Sequence, residues 1–385
     1  MKMKNRRFHA FIHFWLAVSL AVHCTAQTTV RREIRIPDIL GYTTLKCDFH
    51  MHTVFSDGLV WPTVRVQEAW QEGLDAIAIT DHLEKSAHAD DMLIRRNRSF
   101  EIAKKEGDAL GLIVIRGVEI TRHMPPGHMN ALFIRDAEVL NQAEWRQAVA
   151  AAVEQGAFVF WNHPNWKGQR PDGIARWYDE HTEIFDKGWL RGIEAVNFDT
   201  YCPQSHRWCI DKSLTLMGNS DLHDPSSMEY GSRGRKRPFT MVFVDAKTEE
   251  GIRKALLARR TVLFHDGDLF GDVRFLGAIF EQSVSVSATE QPAKTTGRRT
   301  MFIVNRSDLD FRLVWDGMME GIQAPSVLLL PAQGTIEFIV RVKQGSPSET
   351  RAPVLHYRVV NLRTSPEDGL PVVLQPKLQP KPNGS

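Results

Sequence analysis

Cysteine is scarce, four residues in 385, and none sits in a pattern that would make it a nucleophile, which argues against thiol catalysis. Cys47 lies in an apolar run and reads as a buried thiol. Cys202 and Cys209 are close enough in sequence for a local disulfide in an oxidising compartment, with three free buried thiols as the alternative. A dominant charge is also lacking. The formal net charge is +2, and Lys2, Lys4, Arg6 and Arg7 stand in a leader with no acid, so the remainder carries about −2. That balance excludes a protein that holds nucleic acid by bulk charge. Beyond the leader no apolar run reaches membrane-spanning length. The leader has a basic start, an apolar stretch over 11–22, and Cys24-Thr25-Ala26-Gln27. It reads as a secretory signal peptide over residues 1–26, too short and too broken by His13 and His23 to span a bilayer. A lipid-modified Cys24 ranks second, because His23 is bulky where lipoprotein signals want a small residue. The mature chain is expected to be exported, periplasmic or extracellular, with no transmembrane segment.

What remains is 43% apolar, enough for one large core and a smaller second one. Strand-like runs at 45–50, 74–80, 112–119, 128–134, 157–161, 192–197 and 214–219 alternate with helical stretches at 63–72, 90–110 and 144–154, a β/α layout. A further helix is expected over 249–260, after a basic loop with Arg233, Arg235, Lys236 and Arg237 that feeds a strand at 239–244. Residues 40–270 form the first domain on this reading. Past 272 the texture changes to strand-like runs at 273–280, 284–288, 301–304, 311–315, 326–330, 336–342 and 355–362, a small β-sandwich over 272–374 with a disordered tail from 375 to 385.

Acids and histidines collect at the ends of the first set of strands. His50 and His52, two apart in an extended segment, point to one face, a geometry that suits a divalent metal. Asp57 follows in the next loop. Thr80-Asp81-His82, Gly117-Val118-Glu119, Asn162-His163-Pro164 and Ser220-Asp221-Leu222-His223 end four other strands. In parallel β/α folds, functional groups gather where the carboxyl ends of the strands meet.

This series, in order and spacing over about residues 44–265, resembles the polymerase-and-histidinol-phosphatase (PHP) family of metal-dependent phosphoesterases, and among them is most similar to secreted Sb-PDE-type phosphodiesterases. The resemblance implies a distorted (β/α)7 barrel with two or three divalent metals at its mouth. It implies His50, His52, Glu119 and Asp221 around a first ion and Asp57, His82 and His223 around a second. Glu119 would bridge to a third ion held with His128 and His163. His128 is preferred to His123 for its place before the apolar run 130–134, and Asp81 is expected to orient a neighbouring ligand or cap a helix.

The implied chemistry is phosphoester hydrolysis by a hydroxide held between metals, with diesters favoured over monoesters. Mixed His and carboxylate ligands suit manganese, zinc or iron. Arg122, Lys167, Arg170 and Lys85 are the candidate phosphate contacts, and Trp161, Trp166 and Trp177 either line the mouth or pack the core. His88, His181, His206 and His265 are read as ordinary surface or core residues. A small phosphoester is the expected partner. The alternatives are a phosphomonoesterase of small metabolites, a carboxyl-ester or amide hydrolase, and a non-catalytic metal- or ligand-binding protein.

Overall fold

β1 (Thr43–Asp48) starts the core and leads through α1 (Pro62–Gln71) to β2 (Ala76–Ile79), then through α2 (Arg98–Leu110) to β3 (Ile113–Ile120), which returns as β4 (Met129–Leu132). There follow α3 (Trp145–Glu154) and β5 (Phe158–Trp161), α4 (Asp179–Asp186) and β6 (Leu190–Asn197) with its hairpin partner β7 (Thr200–Tyr201), then α5 (Pro203–Asp211) and β8 (Thr215–Asn219). α6 (Ser226–Glu229), β9 (Phe239–Val244), α7 (Glu249–Leu257), β10 (Thr261–His265) and β11 (Asp268–Gly271) complete the first part. The computed structural model describes residues 30–289, 297–316, 321–343 and 353–379. The expected signal peptide with Cys24, and residues 380–385 of the expected disordered tail, lie outside the described residues.

Local chemistry explains several of these boundaries. Pro62 opens α1, where its missing N–H costs nothing, and Val66 and Ala69 form its buried stripe. Thr248 caps α7 by accepting the Gly251 N–H at 3.0 Å, with Glu249 and Glu250 in the first turn. α2 starts eight residues later than the expected 90. Asn97 commits its side chain to Asp136 and the Ala137 N–H, which fixes the entry to the helix there.

Strands β1, β2 and β3 pair in parallel, β4 runs antiparallel between β3 and β5, and β5, β6 and β8 are again parallel. On the other side β9, β10 and β11 extend β1 in antiparallel fashion. Among the described residues no backbone ladder joins β8 to β9 or β10, so the expected ring of seven strands is not closed in that way. Hydroxyls stitch this seam instead: Thr240 Oγ1 bonds both the N–H and the carbonyl of Gly218, and Thr261 donates to Leu216 O.

The run at 273–280 is a helix, not a strand. Within α8 (Val273–Ser283), Asp272 caps the Arg274 N–H at 2.8 Å, and Phe275, Leu276, Ile279 and Phe280 recur at helical spacing toward the core. The C-terminal β part consists of β12 (Val284–Thr289), β13 (Arg298–Asn305), β14 (Phe311–Trp315), β15 (Ile322–Gln323), β16 (Val327–Leu330), β17 (Thr335–Val342), β18 (Leu355–Arg363), β19 (Gly369–Leu374) and β20 (Lys377–Gln379). Its buried residues alternate, as Phe338, Val340 and Val342 do on β17, the period of a half-buried strand. Two features depart from the expected partition. β18 pairs in parallel with β11 at Leu269↔Leu362, so one 15-stranded mixed sheet runs through both parts. β20 pairs with β12 inside the stretch expected to be disordered.

The Cys202–Cys209 disulfide is also corrected: Cys47, Cys202 and Cys209 are free and buried. Cys202 caps α5 and Cys209 lies on it. Seven residues of helix separate two Cα atoms by about 10 Å, beyond the roughly 7 Å a disulfide can bridge.

Candidate metal centre

The two histidines that follow β1 are positioned by backbone bonds to the loop after β8. His52 N donates to Leu222 O at 2.8 Å, and Asp221 N donates to His50 O at 2.8 Å. His163 and Asp221 take positive φ angles of 29° and 53°, unusual for residues with a side chain, and both turn into the same space. The loop after His52 folds tightly: Gly58 N bonds Thr53 O, and a Cβ on Gly58 would lie 2.7 Å from the His52 carbonyl carbon, so only glycine fits.

Three groups of ligand atoms result, each lying within 4.8 Å of one another: His50, His52, Glu119 and Asp221; His52, Asp57, His82 and His223; and Glu119, His128 and His163. His52 belongs to two groups and Glu119 to two. Glu119 Oε2 is 2.8 Å from His50 Nε2 and 3.3 Å from His52 Nε2, while its other oxygen contacts His128 Nδ1. Asp221 Oδ1 lies 3.0 Å from His52 Nε2, and Asp57 Oδ1 lies 3.2 and 3.3 Å from His82 and His223 Nε2.

The donor set fits cations. His163 Nδ1 is buried and makes no hydrogen bond among the described residues, and Asp57 Oδ1 and His128 Nδ1, though close to His82, His223 and Glu119, form no well-aligned one, a costly arrangement unless another partner satisfies them. The histidines and carboxylates shift one another strongly. Burial alone would lower the His82 pKa, but Glu119 and Asp57 outweigh it and raise it to about 10. Burial pushes the Glu119 carboxyl up, yet His82 and His128 hold it well below the usual range, and His50 does the same for Asp221 against its burial. His163, buried and facing His128, is lowered to about 3.

A second layer holds these ligands. Asp81 accepts from Thr53 N at 2.7 Å and Ser56 Oγ at 2.8 Å, so it anchors the loop that carries Asp57. Glu194, on β6 and buried, accepts His50 Nδ1 and Asn219 Nδ2 on one oxygen, and His163 N and Asn197 Nδ2 on the other, all at 2.9 Å. Arg65 is buried on α1 and saturates all five of its donors: His52 O, Leu222 O, His223 O, Asp224 O and Glu68. It ties the His52 loop to the 221–224 loop. Neither Glu194 nor Arg65 was among the sequence candidates. Both left a signal: an acid inside the apolar strand 192–197, and a charge on the apolar stripe of α1.

Comparison with known proteins places this geometry. The PHP domain family matches residues 48–206, and an Ig-like domain family, DUF5001, matches 284–375. A two-domain protein from Bacteroides vulgatus, described as containing a predicted PHP-like metal-dependent phosphoesterase, is 39% identical with a TM-score of 0.85, over 90% of this chain and 99% of that one. This chain belongs to the PHP domain family. An uncharacterized protein of Methanocaldococcus jannaschii is 43% identical over 82 residues, which is 21% of this chain and 36% of that protein, so the match spans about a third of its length.

Around the PHP centre lies a cavity of about 900 Å³, which Asp57, His82, Glu119, His128, His163, Asp221 and His223 line. Of the candidate phosphate contacts, Lys85, Arg122 and Lys167 also line it, whereas Arg170 does not. Arg170 is committed to Tyr178 Oη at 2.6 Å and Ile174 O at 3.1 Å. Lys85 pairs with Asp57, and Arg122 pairs with Glu84 and donates to Thr121 O and Gln142 O. Trp161 and Trp177 pack with Trp208 in the core, and Trp166 faces the cavity. His181, read as ordinary, is a buried ring stacked on Trp161 at 3.7 Å. No helix of the described residues is long and apolar enough to cross a membrane.

Proposed function

We propose that the chain is a metal-dependent phosphoesterase that hydrolyses phosphodiesters of small molecules. The observation that carries this reading is the set of three overlapping ligand groups facing one cavity. Divalent ions, when bound, lower the pKa of a water and draw charge from phosphoryl oxygens. His50, His52, Glu119 and Asp221 would hold one ion, Asp57, His82 and His223 with a share of His52 a second, and Glu119, His128 and His163 a third. Imidazole mixed with carboxylate suits manganese, zinc or iron. The buried carboxylates keep the ligands oriented, and Glu194 and Asp81 restrain them from behind.

The cations around the cavity favour a diester. Lys85 and Arg122 are already paired with acids, and among the described residues Lys167 is the lining lysine or arginine with no ion pair. A phosphomonoester dianion asks for more compensating charge than a diester monoanion. We further propose export, on the strength of the leader's basic start, apolar run and Ala26.

Purified, manganese-loaded protein assayed on bis(4-nitrophenyl) phosphate, 4-nitrophenyl phosphate and 4-nitrophenyl acetate tests the reading. Diester turnover should exceed monoester and carboxyl-ester turnover, and failure to turn over either phosphate would overturn it.

A further inference from the structure

Two large apolar side chains, Phe198 and Trp166, stand in the cavity's wall, and of the two Trp166 is the exposed one. Trp166 is 48% exposed, and its ring lies 5.3 Å from the His163 ring and 5.7 Å from the His128 ring. Its main chain is held in place. Trp166 N bonds His163 O at 2.9 Å, and its carbonyl accepts from Gln169 N at 3.0 Å and Arg170 N at 2.7 Å, so it sits on a closed turn directly after a ligand histidine. Gly168 lies flush against the benzo ring, where an added Cβ would come within 2.4 Å of it. Gln169 Nε2 donates to Arg122 O at 2.7 Å and fastens the turn to the segment after Glu119. The indole is therefore a fixed, half-exposed plane beside the His128–His163 group, with Lys167 next to it in sequence.

From this we infer that Trp166 is a stacking platform for a planar ester group, so that the substrates are diesters carrying an aryl or nucleobase substituent in preference to dialkyl phosphates. The inference rests on the phosphodiester reading above. Stacking on an indole gains from dispersion and from burying two apolar faces at once, and it tolerates any flat ring. A small alkyl group offers no such face. The turn arrangement matters because a platform already held in place loses little entropy when the ring lands on it.

Diphenyl phosphate and diethyl phosphate, titrated calorimetrically into the manganese-loaded full chain, test this directly. Diphenyl phosphate should bind about tenfold more tightly than diethyl phosphate, in the range alanine substitution gives for aromatic stacking. In Trp166→Ala that difference should vanish through a loss of diphenyl affinity alone, with diethyl affinity changed less than about twofold, and Trp166→Phe should restore most of it. Equal binding of the two diesters by the unaltered chain would overturn the stacking inference. So would a Trp166→Ala protein that keeps the preference, or one that weakens both diesters alike. Absence of binding by both, with no turnover of bis(4-nitrophenyl) phosphate, would instead overturn the phosphodiester reading beneath it.

Discussion

Replacing Glu194 by Gln changes one atom from acceptor to donor at a point where four donors converge. The amide can be oriented in two ways, and each disturbs a ligand. With its NH2 toward the Oε2 side it faces the His163 backbone N–H, which cannot rearrange, and Asn197, which can flip. With its NH2 toward the Oε1 side it faces Asn219, whose own oxygen is held by Phe49 N at 2.9 Å, and His50 Nδ1. His50 would then have to move its proton to Nε2, the nitrogen that points at Glu119 and Asp221. Either orientation forfeits at least one hydrogen bond to a charged acceptor, about 1.5–3 kcal/mol. That range corresponds to the 10–100-fold loss in metal affinity expected for a lost supporting partner. Titration of metal-free Glu194→Gln protein with manganese, followed calorimetrically, should show that weakening while circular dichroism stays native. An affinity within about twofold of the unaltered chain would show that Glu194 does not orient the ligands.

Further outcomes follow from other parts of the structure. Asp57→Asn should remove about one metal per chain by elemental analysis, since Asp57 groups with His82, His223 and the shared His52 but not with His50, Glu119 or Asp221, and loss of every metal would show the groups are not separable. His181, buried on Trp161, has its pKa lowered to about 4 by burial, while an unfolded histidine titrates near 6.5. The unfolded chain thus takes up this proton first, so stability present above pH 6.5 should fall by about 3 kcal/mol as the pH drops toward 4. Denaturant titrations should show a flatter acid limb in His181→Gln, and an unchanged slope would assign the loss elsewhere. Iodoacetamide should leave Cys47, Cys202 and Cys209 unlabelled in native protein and label all three in denaturant without reductant; resistance of Cys202 and Cys209 there would restore the disulfide.

The convergence of these side chains was legible because most of them end or closely follow an apolar run, and strand ends in a β/α layout converge whatever the detailed topology. His128 shows the limit of that logic. It precedes β4, which runs antiparallel to its neighbours, so its place at the rim depends on a reversal that alternation alone does not announce. Glu194 and Arg65 were missed because a sequence scan asks what a residue offers a ligand, and these two face backbone and other side chains. The 273–280 run was misread because a helix with one densely apolar face and a buried strand share composition, and only the Asp272 cap separates them. Arg170 and Lys167 look alike in sequence, and only the fold of the turn at 166–173 separates them, tying Arg170 back to Ile174 and Tyr178 while Lys167 lines the cavity.

β18 bonds edge to edge with β11, and the side chains of α8, β14 and β18 share a continuous core with those of β2 and β9. A chain ended at residue 271 would leave β11 as a bare sheet edge with Leu269 uncovered, the kind of surface that recruits other strands. The two family patterns in this sequence are therefore separable as text and joined as matter. Calorimetry of the full chain should show one unfolding transition, and two resolved peaks would show that the halves melt independently. The junction is part of the architecture, so swapping the tail for another β module would mean rebuilding an edge of the centre's own sheet.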